Sequence, residues 1–268
     1  MKHDYSKEHA LFLRRRKRNI ALVWALRAAV LILLFGLWEL VTACGWVDPF
    51  LMSSPSRIAK TIASLYRDGS LFYHIGVTLW ETLVGFAVAV VVGFAAALLL
   101  WWSETVRKVL EPYIVVLNAL PKIALGPLII IWFGTGSEAI VFMTVLVGVI
   151  VATLNMLAAF IETDQNKLLL MRSMGANKLQ ILWKLVLPSS YPAVISMLKV
   201  NVGMAWIGSI MGEYIVSRAG LGYLIVYGGQ VFKLDLVMSA TFILCLLAAG
   251  MYALVVLLEK VLLKDKDR

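Results

Sequence analysis

Six apolar runs set the pattern of the chain, at residues 20–44, 75–102, 112–133, 139–160, 191–216 and 236–258. Each is near or above the roughly 20 residues that a helix needs to cross a hydrocarbon core. Polar connections separate them, and two of these carry patterns of their own. In 45–74, a Ser-Pro-Ser at 54–56 precedes Ile58, Ile62 and Leu65. That spacing predicts a short helix lying on the outer surface. In 217–235, Gly220, Gly222, Gly228 and Gly229 favour turns and close backbone approach.

The longest internal connection, 161–190, is amphipathic. Leu179, Leu182, Trp183 and Val186 fall at i, i+3, i+4 and i+7, while Asn177, Gln180 and Lys184 take another face. Gly175 permits a sharp turn, and Pro188 cannot continue a helix without losing a backbone hydrogen bond. The pattern predicts helix, turn, helix and a stop at Pro188. It suits either a helix resting on the inner leaflet or a docking surface for a soluble partner.

Composition agrees with the runs. Of 268 residues, 61% are hydrophobic and 15% charged, and the mean hydropathy is +0.87. These values describe an all-α integral membrane protein. The length suits one domain, at 20–263, flanked by a basic segment 1–19 and a tail 264–268, with no room for a large soluble module. Alternate connections 1–19, 103–111, 161–190 and 259–268 hold 17 of the 25 Lys and Arg residues, and the other connections hold five. That bias places both termini in the cytoplasm. The net charge of +9 lacks the soluble basic face with interleaved aromatics that nucleic acid requires. Its densest block, Arg14 to Arg18, suits anionic lipid instead. The first run exceeds the h-region of a signal peptide, so it stays as the first membrane helix.

Polar groups inside the runs are candidates for function. Arg27, Glu39 and Glu81 read as structural groups near the ends of their runs. In the third run Pro121 precedes Lys122, with Asn118 one turn earlier and Gly126 one turn later. A kinked or broken helix is expected there, and irregular backbone at that depth either is buried or lines a cavity. Asn118, Pro121 and Lys122 are therefore pathway candidates, together with Asn155, Lys199, Asn201 and Glu213. Helix packing is the alternative for Asn118 to Gly126, and a salt bridge to Arg218 is the alternative for Glu213. Cys44, Cys245, His3, His9 and His74 show no pairing or ligand spacing, so neither a disulfide nor a metal site is expected. No nucleophile, base and orienter set is present in the pattern.

The 169–188 stretch resembles the signature loop of the membrane subunits of ABC-type importers: a Glu-Ala-Ala triplet, three residues, Gly, nine residues, Ile, one residue and Leu-Pro. Here Gly175 is followed by nine residues to Leu185, then Val186 and Leu187-Pro188, while Leu169, Leu170 and Met171 stand at the triplet. The segments LNALPKIALGPLIIIWFGTG at 117–136 and GEYIVSRAGLGYLI at 212–225 look like the nitrate, sulfonate, taurine and thiamine-precursor branch of these permeases. DPFLMSSPSRI at 48–58 and TLWETLVGF at 78–86 are similar to its external segment and second span.

This resemblance implies a six-span, type I importer permease in the inner or plasma membrane of a prokaryote, pairing with a second permease copy, most simply as a homodimer. A cytoplasmic ATPase holds ATP and Mg²⁺, and an extracytoplasmic binding protein delivers the solute. Leu169, Met171, Arg172, Gly175, Ala176, Leu187 and Pro188 become the residues expected to couple to the ATPase. The resemblance also places Glu213 in an outer gate region and GLGYLI, 220–225, near the path. The chain has no G-x-x-x-x-G-K-[ST] of its own and is expected to bind no cofactor. For the solute, Lys122 and Lys199 suit an anion, whereas Trp132, Phe133 and Trp206 suit a pyrimidine-like ligand. The alternative class is a stand-alone secondary carrier or channel, which would show inverted repeats with paired broken spans. An intramembrane enzyme would need convergent His, Asp, Glu or Ser groups.

Overall fold

Lipid leaves backbone polar groups no partner but each other, and the chain answers with helices throughout. The computed structural model describes residues 7–263, and every regular element among them is helical. The first residues of the basic segment and the tail 264–268 lie outside the described residues. In order the helices are α1 (Lys7–Ala43), α2 (Pro49–Met52), α3 (Pro55–Arg67), α4 (Ser70–Trp102), α5 (Glu104–Ala119), α6 (Gly126–Phe133), α7 (Ser137–Ile161), α8 (Gln165–Ser173), α9 (Lys178–Ile181), α10 (Leu187–Val216), α11 (Leu221–Gln230) and α12 (Leu234–Leu263). A 3₁₀ turn at Lys122–Leu125 precedes α6, and a π turn at Leu182–Val186 joins α9 to α10.

Among the described residues, five helices are long and apolar enough to span a membrane, and the pair formed by 104–119 and 122–133 makes a sixth if counted as one span. That pair is bent by 87°. The expected break at Pro121 is therefore present: Leu120 takes the extended conformation that a following proline enforces. The third run nevertheless starts earlier than its apolar residues do. Ser103 caps α5 by accepting the Val106 N–H, so the helix begins at Glu104 and runs through Pro112. Likewise α1 includes part of the basic segment and α4 begins at Ser70, because helix hydrogen bonding does not end where hydrophobicity does.

Two compact units divide the chain, 1–63 and 64–268. In the first, Glu39 Oε2 on α1 accepts the backbone N–H of Ser56 in the first turn of α3, at 3.0 Å, and the Arg27 guanidinium lies 5.2 Å from the Trp24 ring centroid. Both polar side chains thus have structural partners. The expected short helix of the 45–74 connection is α3, with α2 before it.

In the second unit α4, α7 and α10 pack together. Thr144 of α7 lies so close to its neighbours that a Cβ at Gly85 on α4 or at Gly208 on α10 would fall 2.4 and 2.6 Å from its atoms. Small residues at such crossings let backbones approach where lipid offers no hydrophobic drive for association. At one end of this bundle, Leu100, Met156, Phe160, Val186 and Met197 are buried together. Elsewhere, Ile129, Ile140, Met143 and Val216 join α6 to α7 and α10, and Val202, Trp206, Met251 and Val255 join α10 to α12.

Candidate functional site

The 165–188 connection is a rigid hairpin. Asp164 caps α8 through the Asn166 N–H at 2.9 Å. The helix ends as a Schellman motif, with Ala176 N–H donating to Met171 O and Gly175 N–H to Arg172 O. Gly175 holds φ at +78°, the left-handed conformation that this motif requires. Asn177 and Gln180 then close a capping box, each side chain accepting the other's backbone N–H, at 2.8 and 2.9 Å.

Pro188 does not stop the chain, contrary to the sequence expectation. Leu187 N–H donates to Leu182 O, five residues back, and this widened turn carries the helix on into α10 with Pro188 in its first turn. Proline lacks the donor needed for an α-helical bond to residue 184 and crowds that carbonyl, so a local π turn is the way past it. The amphipathic face also divides. Leu182 and Val186 are buried in the core with Ile181, while Leu179 and Trp183 are exposed, as are Leu169, Leu170 and Met174. Met171, Ala176 and Leu187 pack partly against the core, and Arg172 is exposed.

A second polar arrangement sits at the other end of α4. The 217–235 connection, read from its glycines as turns, contains a ten-residue helix, α11. Gly220 supplies no capping side chain, and other elements provide the acceptors. His74 Nδ1 accepts the Gly220 N–H at 3.0 Å, and Thr78 Oγ1 accepts the Leu221 N–H at 2.8 Å. Glu213 Oε2 accepts those of Gly222 and Tyr223 at 2.5 and 3.3 Å. All four N-terminal donors of α11 are thus satisfied, and a carboxylate meets the positive end of its dipole. A Cβ at Gly220 or Gly222 would lie 2.4 and 2.8 Å from Glu213, so close approach holds here, and turns flank the helix, at Gly220 with φ +109° and where Lys233 N–H donates to Gly228 O. Glu213's partners are these amides rather than Arg218.

Glu213 and Glu81 are each 1% exposed, and their carboxyl groups lie side by side. Glu81 and Arg218 both line a cavity of about 150 Å³ with Tyr73, Thr135 and Ser137. The remaining candidates are dispersed. Lys122 Nζ donates to Asn118 O at 2.8 Å, closing the end of α5, and Asn155 is exposed on α7. Lys199 forms a 2.6 Å ion pair with Glu259 on α12. Asn201 is buried, donating to Met197 O at 3.2 Å. Sequence reasoning did not connect His74, Thr78 and Glu81 with Glu213. The available signal was Thr78, Glu81 and Thr82, three polar positions on one face of an otherwise apolar span.

Multiple apolar helices, a broken pair of helices and a capped amphipathic hairpin define a polytopic membrane protein. The fold is that of a chain in the MetNI methionine ABC transporter, solved in inward facing conformations, with a TM-score of 0.65 at 18% identity over 73% of this chain and 97% of that one. Residues 89–265 match the family described as binding-protein-dependent transport system inner membrane component, and the chain belongs to it. It is 31% identical to a "Probable ABC transporter permease protein" of Haemophilus influenzae over 81% of this chain and 87% of that relative. It is 32% identical to the formylaminopyrimidine transport permease protein ThiX of Halalkalibacterium halodurans, over 87% and 92%. The taurine transport system permease protein TauC of Escherichia coli is 24% identical, over 83% of each chain.

Proposed function

We propose that this permease imports a small organic solute at the expense of ATP held, with Mg²⁺, by a separate cytoplasmic ATPase that docks on residues 165–188. The observation that carries this reading is the exposed apolar set Leu169, Leu170, Met174, Leu179 and Trp183 on a hairpin whose opposite side is fixed in the core. Exposed apolar side chains on a rigid, well-capped element suit a protein partner. The concentration of Lys and Arg in the same connection supports a cytoplasmic location, with both termini on that side. Two permease copies, most simply identical, enclose the path.

Transport follows from differential binding. ATP-driven closure of the ATPase pair and the loaded binding protein each favour the outward-facing form, and hydrolysis returns the pair inward. Near the other end of α4, α11 is the element nearest the binding protein and the outer gate. Asn118 and Asn155 contribute polar surface to the path and Pro121 the break beside it, while Lys199, paired with Glu259, holds α10 to α12. The names of the relatives, which transport formylaminopyrimidine and taurine, support a sulfonate or aminopyrimidine as the solute.

Reconstitution with the partner ATPase and binding protein tests this. Uptake of labelled taurine or formylaminopyrimidine into proteoliposomes is expected only with ATP. Uptake of either by the permease alone, driven by its own gradient, would replace the importer with the carrier reading.

A further inference from the structure

Among the described residues, α4 is the longest uninterrupted helix of the second unit, without an internal proline, whereas the third span is broken and α10 begins at a π turn. Its two ends meet different parts of the molecule. At one end Thr78 holds the first amide of α11. At the other, the final carbonyls of α4 have no partner within the helix, and Lys178 Nζ donates to one of them, the carbonyl of Trp102. The same ammonium lies 5.7 Å from the Trp101 ring centroid and 5.4 Å from that of Trp102, within cation–π range. Lys178 therefore bridges the hairpin and the α4–α5 junction across 76 residues of sequence.

The position of this lysine is informative. It is the first residue of α9, where the helix dipole disfavours a cation. Its side chain turns instead to the C-terminus of α4, where the dipole favours one. Its root is held by the Asn177–Gln180 capping box, so the side chain spans two rigid elements. Trp101 and Lys178 also line a groove of about 410 Å³ with Glu104, Arg107 and Arg172, between the hairpin and the start of α5.

We propose that Lys178 is a positioning residue for transport: it fastens the hairpin that receives the ATPase to α4. Displacement of the hairpin is then delivered along α4, about 36 Å from Trp102 to Thr78 at 1.5 Å per residue, to the capped end of α11. The inference rests on ATPase docking at 165–188. It adds that the strength of coupling depends on one side chain that turns from the hairpin to the end of α4.

The test uses the permease–ATPase complex in nanodiscs, with Cys44 and Cys245 replaced by serine and Tyr227→Cys on α11 as the reporter. The readout is the change in maleimide labelling rate on adding ATP and vanadate. Lys178→Met is expected to keep the ATPase bound but to lose about fivefold or more of the nucleotide-dependent change, the lower range of typical allosteric coupling. Lys178→Arg, which keeps a donor and a cation over the rings, is expected to restore it. A Trp101→Leu, Trp102→Leu variant, which removes the rings but not the carbonyl, is expected to weaken it in the same direction. A full nucleotide response in folded Lys178→Met would overturn the proposal, as would loss of ATPase binding by that variant, which would make Lys178 a docking residue. Failure of the unsubstituted chain to hold the ATPase would instead defeat the docking reading itself.

Discussion

Glu213 Oε2 accepts the backbone N–H of Gly222 at 2.5 Å, so a carboxylate near the end of α10 caps the start of the short helix α11. The contact is possible because residues 220 and 222 lack side chains. It makes α11 a docked element whose release has a defined cost.

Glu213→Ala leaves two buried amides without an acceptor. Each unsatisfied group costs about 1–3 kcal/mol, so hydrogen exchange at Gly222 and Tyr223 is expected to accelerate by one to two orders of magnitude, roughly a factor of ten per 1.4 kcal/mol. Exchange at the centre of α7 is expected to stay unchanged. Gly222→Ala should act in the same direction, since its Cβ would fall 2.8 Å from Glu213.

Gly175→Pro separates insertion from docking. Proline fixes φ near −65°, whereas residue 175 requires +78°. The spans are untouched, so membrane yield should be normal while the hairpin loses its geometry and the ATPase no longer co-purifies. Gly175→Ala, strained by about 1–2 kcal/mol in the left-handed region, is expected to weaken association without abolishing it.

The divided face of the hairpin gives opposite expectations for neighbouring residues. Trp183→Ala removes an exposed side chain and should leave thermal stability in detergent nearly unchanged while reducing ATPase retention. Leu182→Ala, at a 7% exposed position, should cost about 2–5 kcal/mol of stability through the cavity it opens. Equal melting shifts for the two would contradict the assignment of faces.

Lys199 and Glu259 should behave as a structural pair. Removing either leaves a charge in a partly buried site, and a double-mutant cycle is expected to return a coupling of about 0.5–3 kcal/mol. Uptake by the Lys199→Ala, Glu259→Ala variant should approach that of the unsubstituted chain. A transport loss in that variant with no coupling in stability would place Lys199 in the path.

What sequence disclosed follows the reach of each interaction. The spans, the break at Pro121 and the turn at Gly175 are local consequences of hydrophobicity, proline and glycine, and all three are present. The start of α5 was legible in Ser103-Glu104 but hidden behind the apolar run that began later. Pro188 misled because a π turn circumvents the hydrogen bond that proline removes. The capping of α11 was out of reach because Thr78 and Leu221 are 143 residues apart. Glycines at 220 and 222 signalled a close approach without naming Glu213 as its partner. Lys178 carried no local sign of its bond to Trp102.

The most direct measurement is affinity isolation of the tagged chain from detergent-solubilised native membranes, with mass spectrometry of what remains bound. A P-loop ATPase is expected in near-stoichiometric amount, and it should be lost from the Gly175→Pro chain while the permease itself is recovered. A chain that comes down without any ATPase, and that moves solute in liposomes without ATP, would contradict the importer account.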